Sequence, residues 1–227
     1  MIIMAFDLSS VCVGVTAVEM KRGGVITKMR SCPIMPPNFD PTILGYMKSK
    51  KKLKTKDGKK ELNTYYKHGE TVITVAEKTR RDKEVRAQKD IYVMQKISQT
   101  INSLIGGVRP DIVLVEKNAI FNGILTSILL GKVMGCLISL TGIYSIPLHE
   151  YPVGQARSVF NLAEIIRAFQ KRHTYEELQS VPDITKRALR EYLEEIYGRY
   201  GIVFQTDDES DSCVVFHYWL NKVYDGS

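Results

Sequence analysis

The chain has 227 residues, of which 44% are hydrophobic and 25% are charged, and its formal net charge is +7. This composition excludes a mainly disordered chain and leaves room for one large domain, or for one domain that carries an insertion. Of the 32 basic and 25 acidic side chains, residues 41–60 hold eight lysines and one aspartate, so the other 207 residues balance 24 basic against 24 acidic ones. The excess charge is therefore local, and it indicates a polyanionic partner.

The chain begins with three predicted strands. Residues 2–8, 11–20 and 23–32 are rich in valine and other apolar residues, and short turn signals separate them. This spacing predicts an antiparallel meander. Residues 33–80 break the pattern, because several prolines are followed by the lysine run. We predict that they form an insertion or flexible arm with no core of its own.

The rest of the chain alternates between helical and strand patterns. Apolar residues recur every three or four positions over 82–106, which is typical of a helix, and the apolar run at 111–117 is typical of a strand buried on both faces. The further predicted elements are helices over about 122–141, 153–170, 185–199 and 208–223 and a strand over 142–151. We therefore predict a single α/β domain over 1–227, with a mixed five-stranded sheet (the antiparallel meander plus parallel strands) and helices on both faces.

Residues 124–143 are apolar over almost the length of a membrane span, but Lys132 lies at their middle. A charge there costs about 2.5–3.5 kcal/mol in a bilayer, so we predict a buried helix and no membrane partner. The four cysteines form no CxxC pair, which indicates reduced thiols in a reducing compartment. The first residues show a strand pattern with an acid in it and no secretory leader, so we expect a cytoplasmic protein.

Four acidic residues stand out by position. Asp7 and Glu116 are embedded near the ends of apolar strands, where a charge is costly unless something compensates it. If those strands are neighbours, both acids face one crevice at the carboxyl end of the sheet. Asp208 and Asp211 are three positions apart on one face of the last helix. Taken alone, Asp207 or Asp208 is also explained as an N-terminal cap of that helix.

Carboxylates gathered in one crevice repel one another, and hard divalent cations relieve that repulsion. Oxygen ligands select Mg²⁺, with Mn²⁺ as the alternative. Two such ions about 4 Å apart activate a water and stabilise the leaving oxygen of a phosphodiester. The acids and the lysine run together predict a phosphodiester hydrolase with two metal ions in each active site.

The order of these motifs resembles that of the RuvC-type Holliday junction resolvases, within the RNase H-like (retroviral integrase) superfamily. "MAFDLSSVCVGVTAV" resembles the family's first strand with its aspartate, "PDIVLVEKNAIFNG" the segment with the catalytic glutamate, and "DDESDSCVVFHYW" the terminal D-x-x-D helix. "PLHEYPVGQARSVF" and "DITKRALREYL" resemble elements that carry basic site residues. The resemblance covers about 1–32 and 85–222. Leu8-Ser9 replaces the usual x-G after the first aspartate, and about twenty extra residues around 160–182 indicate a larger, divergent, phage-type member.

The resemblance implies a role for each matching residue. The catalytic metal ligands would be Asp7, Glu116, Asp208 and Asp211. Lys186 would be a further catalytic residue that also contacts DNA, together with Arg157 and the candidate stacking residue Phe121. The lysine run is predicted to hold the phosphate backbone without reading sequence. Its candidate DNA-binding residues are Lys50, Lys51, Lys52, Lys54, Lys56, Lys59 and Lys60.

The implied activity is the resolution of four-way DNA junctions by paired phosphodiester hydrolysis, in the cytoplasm of a bacterium or of an infected host cell. Gly131 and Gly135 lie on the helix that contributes to the family's homodimer interface, so the resemblance also implies a homodimer. A dimer would bring two active sites to a two-fold junction.

Three alternatives stay open. An RNase H-like nuclease could instead act on flaps, forks or RNA–DNA hybrids. The actin-like sugar kinases and chaperone ATPases also have an aspartate on their first strand, but they predict glycine-rich phosphate loops and a second related domain, and the sequence has neither. A catalytically inactive DNA-binding module is the third alternative, which four acids in the family's order disfavour.

Overall fold

The structure is a computed structural model that describes residues 1–9, 12–55, 58–67, 75–117 and 124–224. Its strands are β1 (Ile2–Leu8), β2 (Val13–Met20), β3 (Ile26–Ile34), β4 (Tyr46–Thr55), β5 (Gly58–Lys67), β6 (Ile112–Lys117) and β7 (Leu148–Pro152). Its helices are α1 (Val75–Val108), α2 (Ile124–Ile143), α3 (Val153–Arg157), α4 (Leu162–Arg172), α5 (Tyr175–Ser180), α6 (Ile184–Tyr197) and α7 (Asp207–Lys222).

The chain forms two compact units. The first combines Met1–Met35 with Ile97–Ser227, and the second is Pro36–Lys96. The second unit contains the antiparallel hairpin β4–β5, and in it the ring of Phe39 packs at 5.6 Å from that of Tyr92.

The first unit is built on a five-stranded sheet with the order β3-β2-β1-β6-β7. The pairs β1–β2 and β2–β3 are antiparallel, whereas β6 pairs in parallel with both β1 and β7. This mixed sheet confirms the predicted fold class. It also makes β1 and β6 neighbours, which was the condition for bringing Asp7 and Glu116 to one crevice.

Alternation along the central strands decides which side chains meet α7. Ile3 and Ala5 of β1 and Leu114 of β6 belong to the same buried cluster as Val214 and Phe216 of α7. Since side chains of a strand alternate between faces, Asp7 and Glu116 lie on this same face of the sheet. Met4, Phe6 and Leu8 on the other face of β1 are also buried, which explains why the strand is apolar almost throughout.

Several boundaries differ from the predictions. Helix α1 begins at Val75, ahead of the predicted start, and α2 continues to Ile143, so β7 begins only at Leu148. The single helix predicted over 153–170 is two helices, because Asn161 caps α4. The hairpin β4–β5 lies within residues 33–80, which we predicted to be an insertion or flexible arm with no core of its own and for which we predicted no strands. Within the described ranges, we find no helix with the length and apolar character to cross a membrane.

Candidate active site

Asp7 and Glu116 lie side by side at the carboxyl ends of two parallel strands. Phe6 pairs with Val115 in the β1–β6 register, and the two acids are the next residue on each strand. Both are buried, with only 6% of Asp7 and 8% of Glu116 exposed. One oxygen of Glu116, Oε2, is buried without a hydrogen-bond partner among the described residues. An unpaired buried carboxylate oxygen is costly, and either a proton or a bound cation would lower that cost.

The N-terminal part of α7 brings Asp208 and Asp211 close to Asp7 and Glu116. The helix is capped by Thr206, whose Oγ accepts a hydrogen bond from the amide of Glu209 at 3.3 Å, while Oε2 of Glu209 accepts one from the amide of Thr206 at 2.9 Å. This capping box satisfies the helix N-terminus. The alternative interpretation of Asp207 or Asp208 as the N-cap is therefore wrong, and Asp208 and Asp211 are left to face the acids of the sheet.

Gly14 is the residue that lets α7 come this close. It lies directly opposite Asp7 in the β1–β2 register, and a Cβ atom at this position would lie 1.8 Å from the carbonyl oxygen of Asp208. No side chain fits there, so the backbone of α7 rests on the backbone of β2. We did not single out this residue from the sequence, although a glycine inside a valine-rich strand is the usual signal of a close backbone approach.

The pKa values of three of these carboxyls, Asp7, Glu116 and Asp208, are raised above their ordinary values. Burial raises the pKa of Asp7 well above its ordinary value, and repulsion by Glu116, Asp211 and Asp208 raises it further. Burial, followed by repulsion from Asp211, raises the pKa of Glu116 to about 7. The pKa of Asp208 is raised mainly by burial. These shifts indicate a site with more negative charge than its own surroundings compensate.

Two basic side chains converge on Asp211. Arg157, at the end of α3, donates from Nη2 to Oδ1 at 3.0 Å, and Lys186, in the first turn of α6, donates from Nζ to Oδ2 at 3.0 Å. Burial alone would lower the pKa of Lys186, but its pairing with Asp211 raises it. Both residues that the resemblance pointed to are thus adjacent to the acids.

Ser9 and Cys12 support Asp208 from the turn after β1. The hydroxyl of Ser9 accepts a hydrogen bond from the amide of Cys12 at 2.9 Å and donates to Oδ2 of Asp208 at 3.4 Å. Cys12 Sγ lies 3.9 Å from the hydroxyl of Thr206, and burial raises the pKa of this thiol to about 11. A serine at the position of the family's usual glycine therefore contacts the acid cluster directly.

The acid cluster fits hard divalent cations by its donor set. It offers buried carboxylate oxygens, one of them without a hydrogen bond, and their mutual repulsion favours a positive ion. In the part of the chain that the structure describes, no three His, Cys, Asp or Glu side chains are already arranged around a point that could hold a metal. Asp211 is instead turned toward Arg157 and Lys186.

The remaining predicted site residues lie elsewhere or outside the described residues. Phe121 and Lys56 lie outside the described residues. Strand β4 carries Lys50, Lys51, Lys52 and Lys54, and β5 carries Lys59 and Lys60, all in the second unit.

Comparison with known proteins shows the fold. No family model and no curated protein matches the sequence. Among solved structures, the chain is similar to Thermus thermophilus RuvC, with 11% identity and a TM-score of 0.50 over 97% of this chain and 96% of that one. It is also similar to T. thermophilus RuvC in complex with a Holliday junction substrate, with 10% identity and a TM-score of 0.50 over 98% of this chain and 97% of that one. The predicted RuvC-like, RNase H-like fold is thus confirmed.

Proposed function

We propose that this chain is a divalent-metal-dependent endonuclease that resolves four-way DNA junctions by paired phosphodiester hydrolysis. The observation that carries the proposal is the meeting of Asp7, Glu116, Asp208 and Asp211 at the carboxyl ends of β1 and β6, on the fold of RuvC. Buried acids that repel one another lower the stability of the folded chain unless a cation compensates their charge. Such clusters are typical of functional sites, and carboxylate oxygens are ligands that suit a hard divalent metal ion.

The four carboxylates would hold two Mg²⁺ ions, with Mn²⁺ as the alternative. Ions bound there supply a water of lowered pKa and compensate negative charge on the leaving oxygen. Asp7 and Glu116 project from paired strands, and Asp208 and Asp211 from a helix held against Gly14, so the ligands are attached to rigid elements. Rigid attachment keeps the reacting groups in place without reorganisation.

Lys186 and Arg157 supply the positive charge of the site. In the free protein they hold Asp211 between them, which compensates its charge. The side chain of Lys186 is 34% exposed, so it would be accessible to a phosphate group of bound DNA. We infer that both residues contact the scissile region of the DNA, where they would compensate the growing charge on the phosphate.

A second copy of the chain is the partner that we propose for α2. This helix exposes an apolar stripe with small residues, made of Ile128, Gly131, Gly135, Ile138 and Gly142. Small residues let two helices approach closely, and a self-complementary contact about a two-fold axis presents two active sites to a two-fold junction. Lysines of the β4–β5 hairpin would add non-specific affinity for the DNA backbone.

A panel of labelled substrates tests the proposal. A four-way junction, a flap, a fork and an RNA–DNA hybrid are incubated with the full chain in Mg²⁺ and in EDTA. We expect paired cuts in the junction in Mg²⁺ and none in EDTA. Preferred cutting of a flap, fork or hybrid would instead identify the alternative RNase H-like nuclease, and absence of cutting in all four would refute nuclease activity.

The variant Asp7→Asn identifies the site. It keeps the size of the side chain but removes a charge, so we expect cleavage to fall by about 10³-fold or more, while junction binding in EDTA stays within a few fold of the unmodified protein. Glu19→Gln, on the neighbouring strand and exposed, is the matched control and should cut normally. Undiminished cutting by Asp7→Asn would place the chemistry elsewhere.

A further inference from the structure

The hairpin β4–β5 divides its lysines unequally between its two faces. Side chains alternate along a strand, and directly paired residues of antiparallel strands share a face. The pairing of Lys50 with Asn63 and of Lys54 with Lys59 therefore assigns every position of the hairpin. One face, here called the basic face, holds the positions of Lys48, Lys50, Lys52, Lys54, Lys59 and Lys67.

The opposite face has a different composition. It holds the positions of Lys51 and Lys60, together with apolar positions such as Met47, Leu53 and Leu62. With Glu61 as its acid, the basic face has a net charge of +5, whereas the opposite face has +2. The division follows from the register of the strands and is invisible in the lysine count, which treats the run as one basic segment.

Within the hairpin, the register brings like-charged positions together on the basic face. Lys54 is paired directly across the ladder with Lys59, and Lys48, Lys50 and Lys52 follow one another on the same side of β4. Like charges that are directly opposed destabilise a strand pair, and a two-stranded hairpin is only marginally stable in water. A row of phosphates along this face would turn the repulsion into attraction.

We propose that the basic face lies along the sugar–phosphate backbone of a duplex arm of the DNA substrate, and that the opposite face does not contact DNA. This inference rests on the proposed function for the identity of the nucleic acid. It assigns Lys48 and Lys67 to the DNA-binding surface and separates Lys51 and Lys60 from it.

The dimensions of the hairpin suit a duplex. Strands of ten residues are about 33 Å long, close to the roughly 34 Å of one turn of B-form DNA. Alternate lysines recur every ~6.8 Å along the face, while each DNA strand presents a phosphate every ~3.4 Å of helix axis. A lysine ammonium is a point charge that suits phosphate oxygens better than base edges. The basic face is therefore built for affinity and positioning, with no preference for sequence.

Two charge-matched double variants of the full chain test the inference. Lys52→Gln with Lys54→Gln removes two charges from the basic face, and Lys51→Gln with Lys60→Gln removes two from the opposite face. Binding to a labelled four-way junction and to a linear duplex is measured by fluorescence anisotropy in EDTA, from about 50 to 200 mM salt. We expect the first double variant to reduce the slope of log K against log salt by about 1.8, and the second by less than half as much.

Controls separate charge from folding and this inference from the proposed function. Lys52→Arg with Lys54→Arg keeps both charges and should keep the slope. Equal reductions by the two Gln variants, or no reduction by either, would overturn the inference, as would stronger competition by single-stranded RNA than by duplex DNA. Because EDTA prevents cutting, a difference between faces on the linear duplex supports the inference even if the substrate panel refutes junction cleavage.

Discussion

At the scale of single residues, Gly14 links the sheet to the helix that completes the acid cluster. Gly14→Ala would place a methyl group 1.8 Å from the carbonyl oxygen of Asp208, so α7 must move away. We expect a loss of stability of about 1–3 kcal/mol and a larger proportional loss of cleavage, because Asp208 and Asp211 move with the helix. Thermal unfolding and single-turnover cleavage measure the two effects.

Gly107→Ala is the matched control for that variant. Gly107 lies in α1 and a Cβ there meets nothing within 4 Å, so this variant should retain stability and activity. If Gly14→Ala unfolds at the same temperature as the unmodified protein and cuts normally, the close approach of β2 and α7 is not a requirement of the site.

Glu116 makes stability depend on pH when metal is absent. Its pKa rises from 4.5 to about 7 through burial and then repulsion by Asp211, so between these values the folded protein holds a proton that the unfolded chain has released. Protonated Glu116 therefore contributes to the free energy of unfolding, and this contribution is fully present below about pH 4.5 and is lost as pH rises through 7. We expect the metal-free protein to lose stability over this window and Mg²⁺ to restore it above the window.

The variant Glu116→Gln checks this sign by thermal unfolding in EDTA. Above the window it should raise Tm by at least about 2–4 °C, which corresponds to ~1 kcal/mol in a chain of this size, and it should abolish cleavage. Below the window the two proteins should unfold alike. Glu150→Gln, on an exposed position of β7, should show no such difference. If the unmodified protein had a higher Tm than Glu116→Gln above the window, Glu116 would not be the group that makes stability depend on pH.

At the scale of elements, two helices carry the same capping box in different surroundings. Thr206 and Glu209 cap α7 beside the acids, whereas Thr174 and Glu177 cap the short, exposed α5. We expect Thr206→Ala to cost about 1 kcal/mol of stability and also to reduce cleavage, because the first two turns of α7 carry Asp208 and Asp211.

Thr174→Ala is the internal comparison, measured in the same unfolding and cleavage assays. It removes an equivalent hydrogen bond from α5, so it should cost a similar or smaller amount of stability and leave cleavage unchanged. Equal effects of the two variants on cleavage would mean that helix capping acts only through global stability.

At the scale of the whole molecule, the exposed stripe on α2 predicts self-association. Ile138 is 48% exposed on this stripe, and Ile138→Glu would place charge in the proposed contact between two copies. We expect the unmodified chain to sediment as a dimer at micromolar concentration and the variant as a monomer that nicks a junction without pairing the cuts. Val203→Glu, on an exposed position in the chain segment before α7, should leave the dimer intact. Monomeric behaviour of the unmodified chain would rule the contact out.

Much of the fold is readable from local pattern. The strand at 2–8, the strand at 111–117 and the last helix follow the sequence predictions within a residue or two, because long apolar periods dominate over weaker signals there. The hairpin β4–β5 was missed, since lysine-rich strands lack the apolar alternation that identifies a sheet face. The boundary between α2 and β7 was also wrong, because continuous apolar residues fit either element.

The acids themselves were recognisable in the sequence, since a carboxylate inside an apolar run is costly and motif order is a property of the chain. Their meeting depends on long-range register: β1 pairs with β6 across more than one hundred residues, and Gly14 admits α7 against β2. The same holds for Arg157 and Lys186, whose distances to Asp211 no spacing along the chain specifies. Residue type sets which chemistry is available, whereas packing between distant segments sets which groups are close enough to share charge, because Coulomb interactions and hydrogen bonds depend on distance in space and not on separation in sequence.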